Sequence, residues 1–228
     1  MRRGRPRREL LPPRFAGRAA ADGILVAMSI ARTELPDDGP SWRERLLEVP
    51  EEVPRSVWYG RVAAFLLLAI WGTGVVLSRM TDTPVLLHLT VILFHEAGHV
   101  IFSPFGEALR VAGGTLGQLL MPIVCAVALH RRGDNFGAAI CLAWMALSGI
   151  DASVYAYDAA DPVLPLIGGG TGADSFHDFI FLFERHGQLH HARGWAMAIK
   201  ALGVLGLYAS LAWAGALLYL QSENLDER

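Results

Sequence analysis

Residues 84–103 read PVLLHLTVILFHEAGHVIFS. A helix needs roughly 20 mostly apolar residues to cross a bilayer core, and this stretch has that length and character. It also carries His88, His95, Glu96 and His99. Ionisable groups in a spanning helix are costly and mark function by default. Four further segments qualify as spans, at 58–78, 111–129, 136–157 and 195–220. Together they predict an all-α fold, a polytopic membrane helix bundle of about five transmembrane helices. Residues 176–185 add an interfacial helix, because Phe176, Phe179, Ile180 and Phe183 share one face.

Composition agrees with a membrane bundle. Hydrophobic residues make up 53% of the 228 and charged ones 18%, against about 25% charge in soluble domains. The net charge of −2 gives no case for a nucleic-acid partner, and the surroundings expected for this chain are the lipid bilayer. Cys125 and Cys141 lie in apolar blocks and make no disulfide framework.

Residues 1–57 are polar, Pro-rich and Arg-rich, and read as a disordered basic extension without a secretory signal. Met28 would serve as well as Met1 to initiate the chain, and 41–52 can form a short surface helix. The bundle then covers 58–220, with a polar tail at 221–228. Arginines in the flanks orient the spans. With the N-terminus inside a bacterial cytoplasmic membrane, the inner face holds Arg43, Arg45, Arg55, Arg61, Arg110, Arg185 and Arg193. The outer face holds Arg79, Arg131, Arg132 and Arg228, and five crossings put the C-terminus outside.

His95-Glu96-Ala97-Gly98-His99 is an H-E-x-x-H motif. On a helix, i and i+4 stack on one face, so both imidazoles reach one zinc ion. Glu96, about 100° round the helix, is placed as a general base. Chance gives this motif in such a chain roughly one time in a hundred. A metal-free His–Glu hydrogen-bond cluster is the competing explanation. His88 shares the stripe but lies about 10 Å up the axis, where it serves the polar surroundings of the site or bonds between helices.

Two histidines leave the site a ligand short. Asp151, within LSGIDASVYAYDAADP, lies at a similar depth and is the expected third ligand; the alternatives are a brace between helices or a non-ligating catalytic role. Asp158 shares its face at the rim, with Tyr155 between them. The rivals are Asp174, His177 and Asp178, beyond the Gly-rich hinge at 168–172, although Ser175 to Asp178 also reads as a capping box. His186, His190 and His191 read as a solvated face. Gly113 and Gly117 form a small-xxx-small pair that permits close helix approach. Gln118 beside Pro122 can bind an extended substrate backbone or glue two helices together, and Lys200 can snorkel to the interface.

These motifs resemble the site-2 protease family of intramembrane zinc metallopeptidases. The resemblance implies that His95 and His99 ligate zinc near the cytoplasmic face, with Glu96 as general base. The family's second motif, Asn-x-x-Pro-x-x-x-Leu-Asp-Gly, has loose counterparts in Gln118 and Pro122 and in Gly149-Ile150-Asp151-Ala152. The implied activity is hydrolysis of a peptide bond in or near the bilayer, in a membrane-protein or peptide substrate. Two rivals stand beside it: a metal-binding or metal-transporting membrane protein, and a catalytically degenerate scaffold. Polar groups are sparse on the third and fifth segments, which favours a closed site over a transport path.

Overall fold

The structure, a computed structural model, describes Gly39 and residues 41–82, 85–167 and 169–225. The expected disorder of residues 1–38 and the alternative start at Met28 lie outside the described residues. The chain divides after Arg45. Before that point Ser41 and Glu44 exchange side-chain-to-backbone hydrogen bonds, a capping box that starts helix α1, Trp42–Leu47.

From Leu46 onward the chain forms one unit. Five of its helices are long and apolar enough to cross a membrane, so the chain is an integral membrane protein. They are α2 (Arg55–Leu77), α3 (Val85–Phe102), α4 (Glu107–His130), α5 (Asn135–Asp158) and α7 (Ala192–Ser222), with the short α6 (Asp178–Arg185) before the last. Leu67, Ile70, Leu93, Val100 and Leu205 lie exposed on the outside, as lipid contact requires. Helix α5 is the most buried of the five and forms the centre. Its Ala143, Ala146, Leu147 and Ile150 pack with Val75, Leu87, Val91 and Leu207. Asp134 caps it by accepting from the Gly137 N–H at 3.0 Å. Helix α3 stops in a 3-10 turn containing Pro104, and Gly106, with φ of 96°, turns the chain into α4.

Helices α3 and α4 cross where neither has a side chain. A Cβ on Gly98 would strike the Gly113 carbonyl, and one on Gly113 would lie 2.6 Å from the Gly98 carbonyl oxygen. The small-residue spacing thus brings α4 against the helix that carries the histidines.

The bundle has two ends. At the first, Val53 N–H donates to the Asn224 carbonyl at 2.9 Å, Trp58 Nε1–H donates to the Leu218 carbonyl at 3.0 Å, and Arg61 meets Asp134 at 3.2 Å. At the second, Lys200 donates to the Ser78 carbonyl at 3.0 Å, and Met80 packs with Ala156, Ala159, Ala192 and Ala196. Hence α2 starts where α7 finishes, and α7 starts where α2 and α5 finish.

Two boundaries differ from expectation. Residues 46–57 are part of the bundle: Leu46 and Glu48 carbonyls accept from Trp213 and Asn135, and Val53 is buried. Leu225 pairs with Val53 instead of standing in a free tail. The expectation that the bundle starts and finishes on opposite faces is also overturned, because Val53 and Leu225 are bonded neighbours. The reason lies between α2 and α3. Seven residues separate Leu77 from Val85, a reach of at most about 28 Å, whereas α2 is about 34 Å long. The chain therefore cannot return to the first end, and α3 begins inside the bundle, with Leu87 in the core and His88 against Asp151. It leaves at the second end, where it had come from.

Candidate metal centre

His95 and His99 occupy successive turns of α3, with ring centroids 4.9 Å apart. Each ring is fixed by its Nδ1. Gln118 on α4 donates its amide N–H to the Ser148 carbonyl at 2.9 Å, which turns its Oε1 toward His95 Nδ1 at 2.8 Å. The Arg110 carbonyl lies 2.8 Å from His99 Nδ1. Both partners are acceptors, so both Nδ1 atoms carry the proton and donate. A neutral imidazole then presents a lone pair at Nε2.

Both Nε2 atoms face the same oxygen. Asp178 Oδ2 lies 3.0 Å from His95 Nε2 and 3.2 Å from His99 Nε2. Two lone pairs against a carboxylate oxygen repel, so a proton or a metal ion must lie between them. Protons can fill that place, on the rings or on the carboxyl. Burial pushes the Asp178 carboxyl up, but hydrogen bonds from His95 and His99 outweigh it and hold the group below the usual carboxylate range. One divalent ion is the other way to fill that place. Nitrogen and oxygen ligands about 2.0–2.1 Å from a tetrahedral ion stand about 3.3 Å apart, close to both measured separations.

A missing side chain leaves room beside the two rings. A Cβ on Gly114 would lie 2.6 Å from His99 Nε2 and closer still to His95 Nε2. Glu96 is exposed on the next face of α3, and it can place a carboxylate oxygen within 4.8 Å of ligand atoms of both histidines.

Asp178 opens α6 and is held from α5. Its N–H donates to the Tyr155 hydroxyl at 3.2 Å. The Tyr155 ring stacks on His177, with centroids 4.1 Å apart. His177 caps α6 by accepting from the Ile180 N–H at 3.3 Å through Nδ1, which leaves its proton on Nε2, 3.4 Å from Asp158 Oδ2. That contact is too poorly aligned for a hydrogen bond. Burial, against the pull of Asp158 and Asp178, lowers the His177 pKa and keeps the ring neutral. Asp158 Oδ1 accepts from the N–H groups of Val163 and Leu164 at 2.9 and 3.0 Å. The link between α5 and α6 is thus clamped at both ends.

The expected third ligand is corrected by this geometry. Asp151 does not meet His95 and His99; its carboxylate lies 3.2 Å from His88 Nδ1. Because α3 starts inside the bundle, its first turn reaches Asp151, while its last two turns emerge where α6 lies. The capping-box reading of Ser175 and Asp178 is replaced by a His177 cap, which frees the Asp178 carboxylate. His177 and Asp158 face each other and not the centre, so they hold the link. Gln118 bonds His95 and bridges α3 to α5, as the gluing role expects. Lys200 bonds the Ser78 carbonyl, and His186, His190 and His191 are exposed as expected. No residue type announces the Arg110 and Ser148 carbonyls, and Gly114 is signalled in the sequence only by its place beside Gly113. Compared with protein-family models, curated proteins and solved structures, the chain matches none.

Proposed function

We propose that this protein is a membrane-embedded metallopeptidase that holds one zinc ion on His95, His99 and Asp178 and uses Glu96 as general base. The observation that carries the reading is the convergence of two tautomer-fixed Nε2 atoms on one Asp178 oxygen. Two nitrogens and one carboxylate suit zinc, and three protein ligands are the pattern of a catalytic rather than a structural site. Bound there, the ion would polarise a carbonyl and ease ionisation of water. Gln118 and the Arg110 carbonyl keep the rings in the ligating tautomer. Tyr155 fixes the backbone of Asp178. Glu96 takes the proton from the attacking water and returns it to the leaving amine. The resemblance to site-2 proteases now rests on the H-E-x-x-H motif, since Asp151 does not fill the place of the second motif's aspartate. The membrane proposed is the bacterial cytoplasmic membrane.

Metal analysis of detergent-purified protein tests the reading. About one zinc per chain is expected in wild type and Glu96→Gln, and little in His95→Ala, His99→Ala or Asp178→Ala. New N-termini in membranes holding wild type but not Glu96→Gln would identify cleavage. Equal metal in all five proteins would refute the site. Metal without Glu96-dependent cleavage would leave a metal-binding protein that is not a peptidase.

A further inference from the structure

We infer that the His95–His99–Asp178 centre opens to the non-cytoplasmic side of the membrane, and that its substrate is a peptide segment at that boundary. This rests on the metallopeptidase reading for the word substrate, but the placement rests on packing and charge alone. It is opposite to what the resemblance implies, a centre near the cytoplasmic face.

The site belongs to the second end of the bundle. His95 and His99 lie in the last two turns of α3. Asp178 lies on α6, beyond the end of α5, and its neighbours Tyr155, His177 and Asp158 join it to that end. The first end, with Val53, Leu225 and Asp134, is on the far side. Four crossings lie between the start of α2 and the finish of α7, one each by α2, α4, α5 and α7, so both lie at the same end, while α3 and its link return to the second.

Basic residues orient the two ends, because cytoplasmic flanks carry the excess of Lys and Arg. Grouped by this packing, the second end holds Arg79, Arg110, Arg185, Arg193 and Lys200. The first holds Arg55, Arg61, Arg131 and Arg132, and it is joined in sequence to Arg43 and Arg45, which lie within reach of the α2 flank. The Arg131–Arg132 pair, an anomaly under strict five-span alternation, falls with the basic end once the packing is known. The first end is therefore cytoplasmic and the second faces out. There Glu96 projects from the bundle between exposed Leu93 and Val100. A chain reaching the base would lie along this apolar face of α3, so an apolar membrane-boundary segment is the class of substrate it fits.

Single cysteines in a Cys125→Ala, Cys141→Ala background decide the matter without any need for metal or activity. Glu51, Glu223 and Asp174 are all exposed, so Glu51→Cys and Glu223→Cys report the first end and Asp174→Cys the second. A membrane-impermeant maleimide is added to right-side-out spheroplasts and to lysed ones. The expected result is Asp174→Cys labelled in both, with Glu51→Cys and Glu223→Cys labelled only after lysis. Labelling of Glu51→Cys and Glu223→Cys on opposite sides overturns the packing. Labelling of both only from outside, with Asp174→Cys inside, overturns the orientation. Zinc content of the same proteins is read separately, so absent metal would count against the proposed function and leave the labelling result standing.

Discussion

Gly114→Ala is the sharpest perturbation of the centre, because it adds one methyl where two ring nitrogens converge. The new Cβ would lie 2.6 Å from His99 Nε2, against the 3.4 Å at which ordinary van der Waals contact begins, and closer still to His95 Nε2. The rings must retreat by about 0.8 Å, whereas metal–ligand distances tolerate only about 0.2 Å. Two of three ligands are disturbed together, so zinc affinity should fall by about 100-fold or more, some 2.7 kcal/mol. Stability of the metal-free protein should fall much less, because an overpacking cost of about 1–3 kcal/mol is offset in part by the up to about 1 kcal/mol that alanine gains over glycine in a helix. Competition with a chromogenic zinc chelator measures the first quantity and thermal unfolding of apo-protein the second. Gly149→Ala is the control: its Cβ meets only Leu119, at 3.9 Å, and both quantities should stay near wild type. Zinc affinity of Gly114→Ala within twofold of wild type would refute the claim that an ion occupies the space beside Gly114.

Three further outcomes follow from the same geometry. Gln118→Leu removes the acceptor that fixes His95 Nδ1–H and should lower zinc affinity by about 10–100-fold in the same competition assay. His88→Ala strips the partner from Asp151, which is 5% exposed, and should destabilise the fold by about 1–3 kcal/mol in reversible unfolding while zinc stoichiometry is unchanged. The figure stays below the roughly 3–5 kcal/mol of a fully buried pair because the His88 side chain is 40% exposed. Acidification from about pH 7.5 to about pH 5 should release the metal, because metal ligands must be deprotonated and protons compete with the ion for them; dialysis against metal-free buffer at each pH reads the retained zinc.

The parts of this molecule that sequence made legible are those with a period. Apolar runs located the five long helices, the i and i+4 histidines located the centre, and Gly113 and Gly117 located the crossing of α3 with α4. What escaped was relational. Depth along a span suggested Asp151, but depth is one coordinate, and the facing residue depends on where α3 starts within the bundle. Asp178 looked like a helix cap because Ser175 three residues earlier fits that pattern. Only the folded link shows His177 taking the cap and leaving the carboxylate free. The pairing of Val53 with Leu225 has no local signal, since it joins segments 172 residues apart.

The return of α3 to its own side links these corrections to one another. A helix that fully crossed would set its two histidines against the middle of α5, where an intramembrane carboxylate such as Asp151 would have to serve. Here the same helix emerges at the second end, and the acid comes from the surface link instead. That choice lowers the cost of assembling the site. A carboxylate inside a spanning helix must be compensated at every stage of folding, and Asp151 is compensated by His88. Asp178 lies instead on the surface link, where Tyr155, His177 and Asp158 hold it against the histidines. The acid that meets the histidines therefore comes from a link at the second end, outside the long helices, and not from the middle of α5.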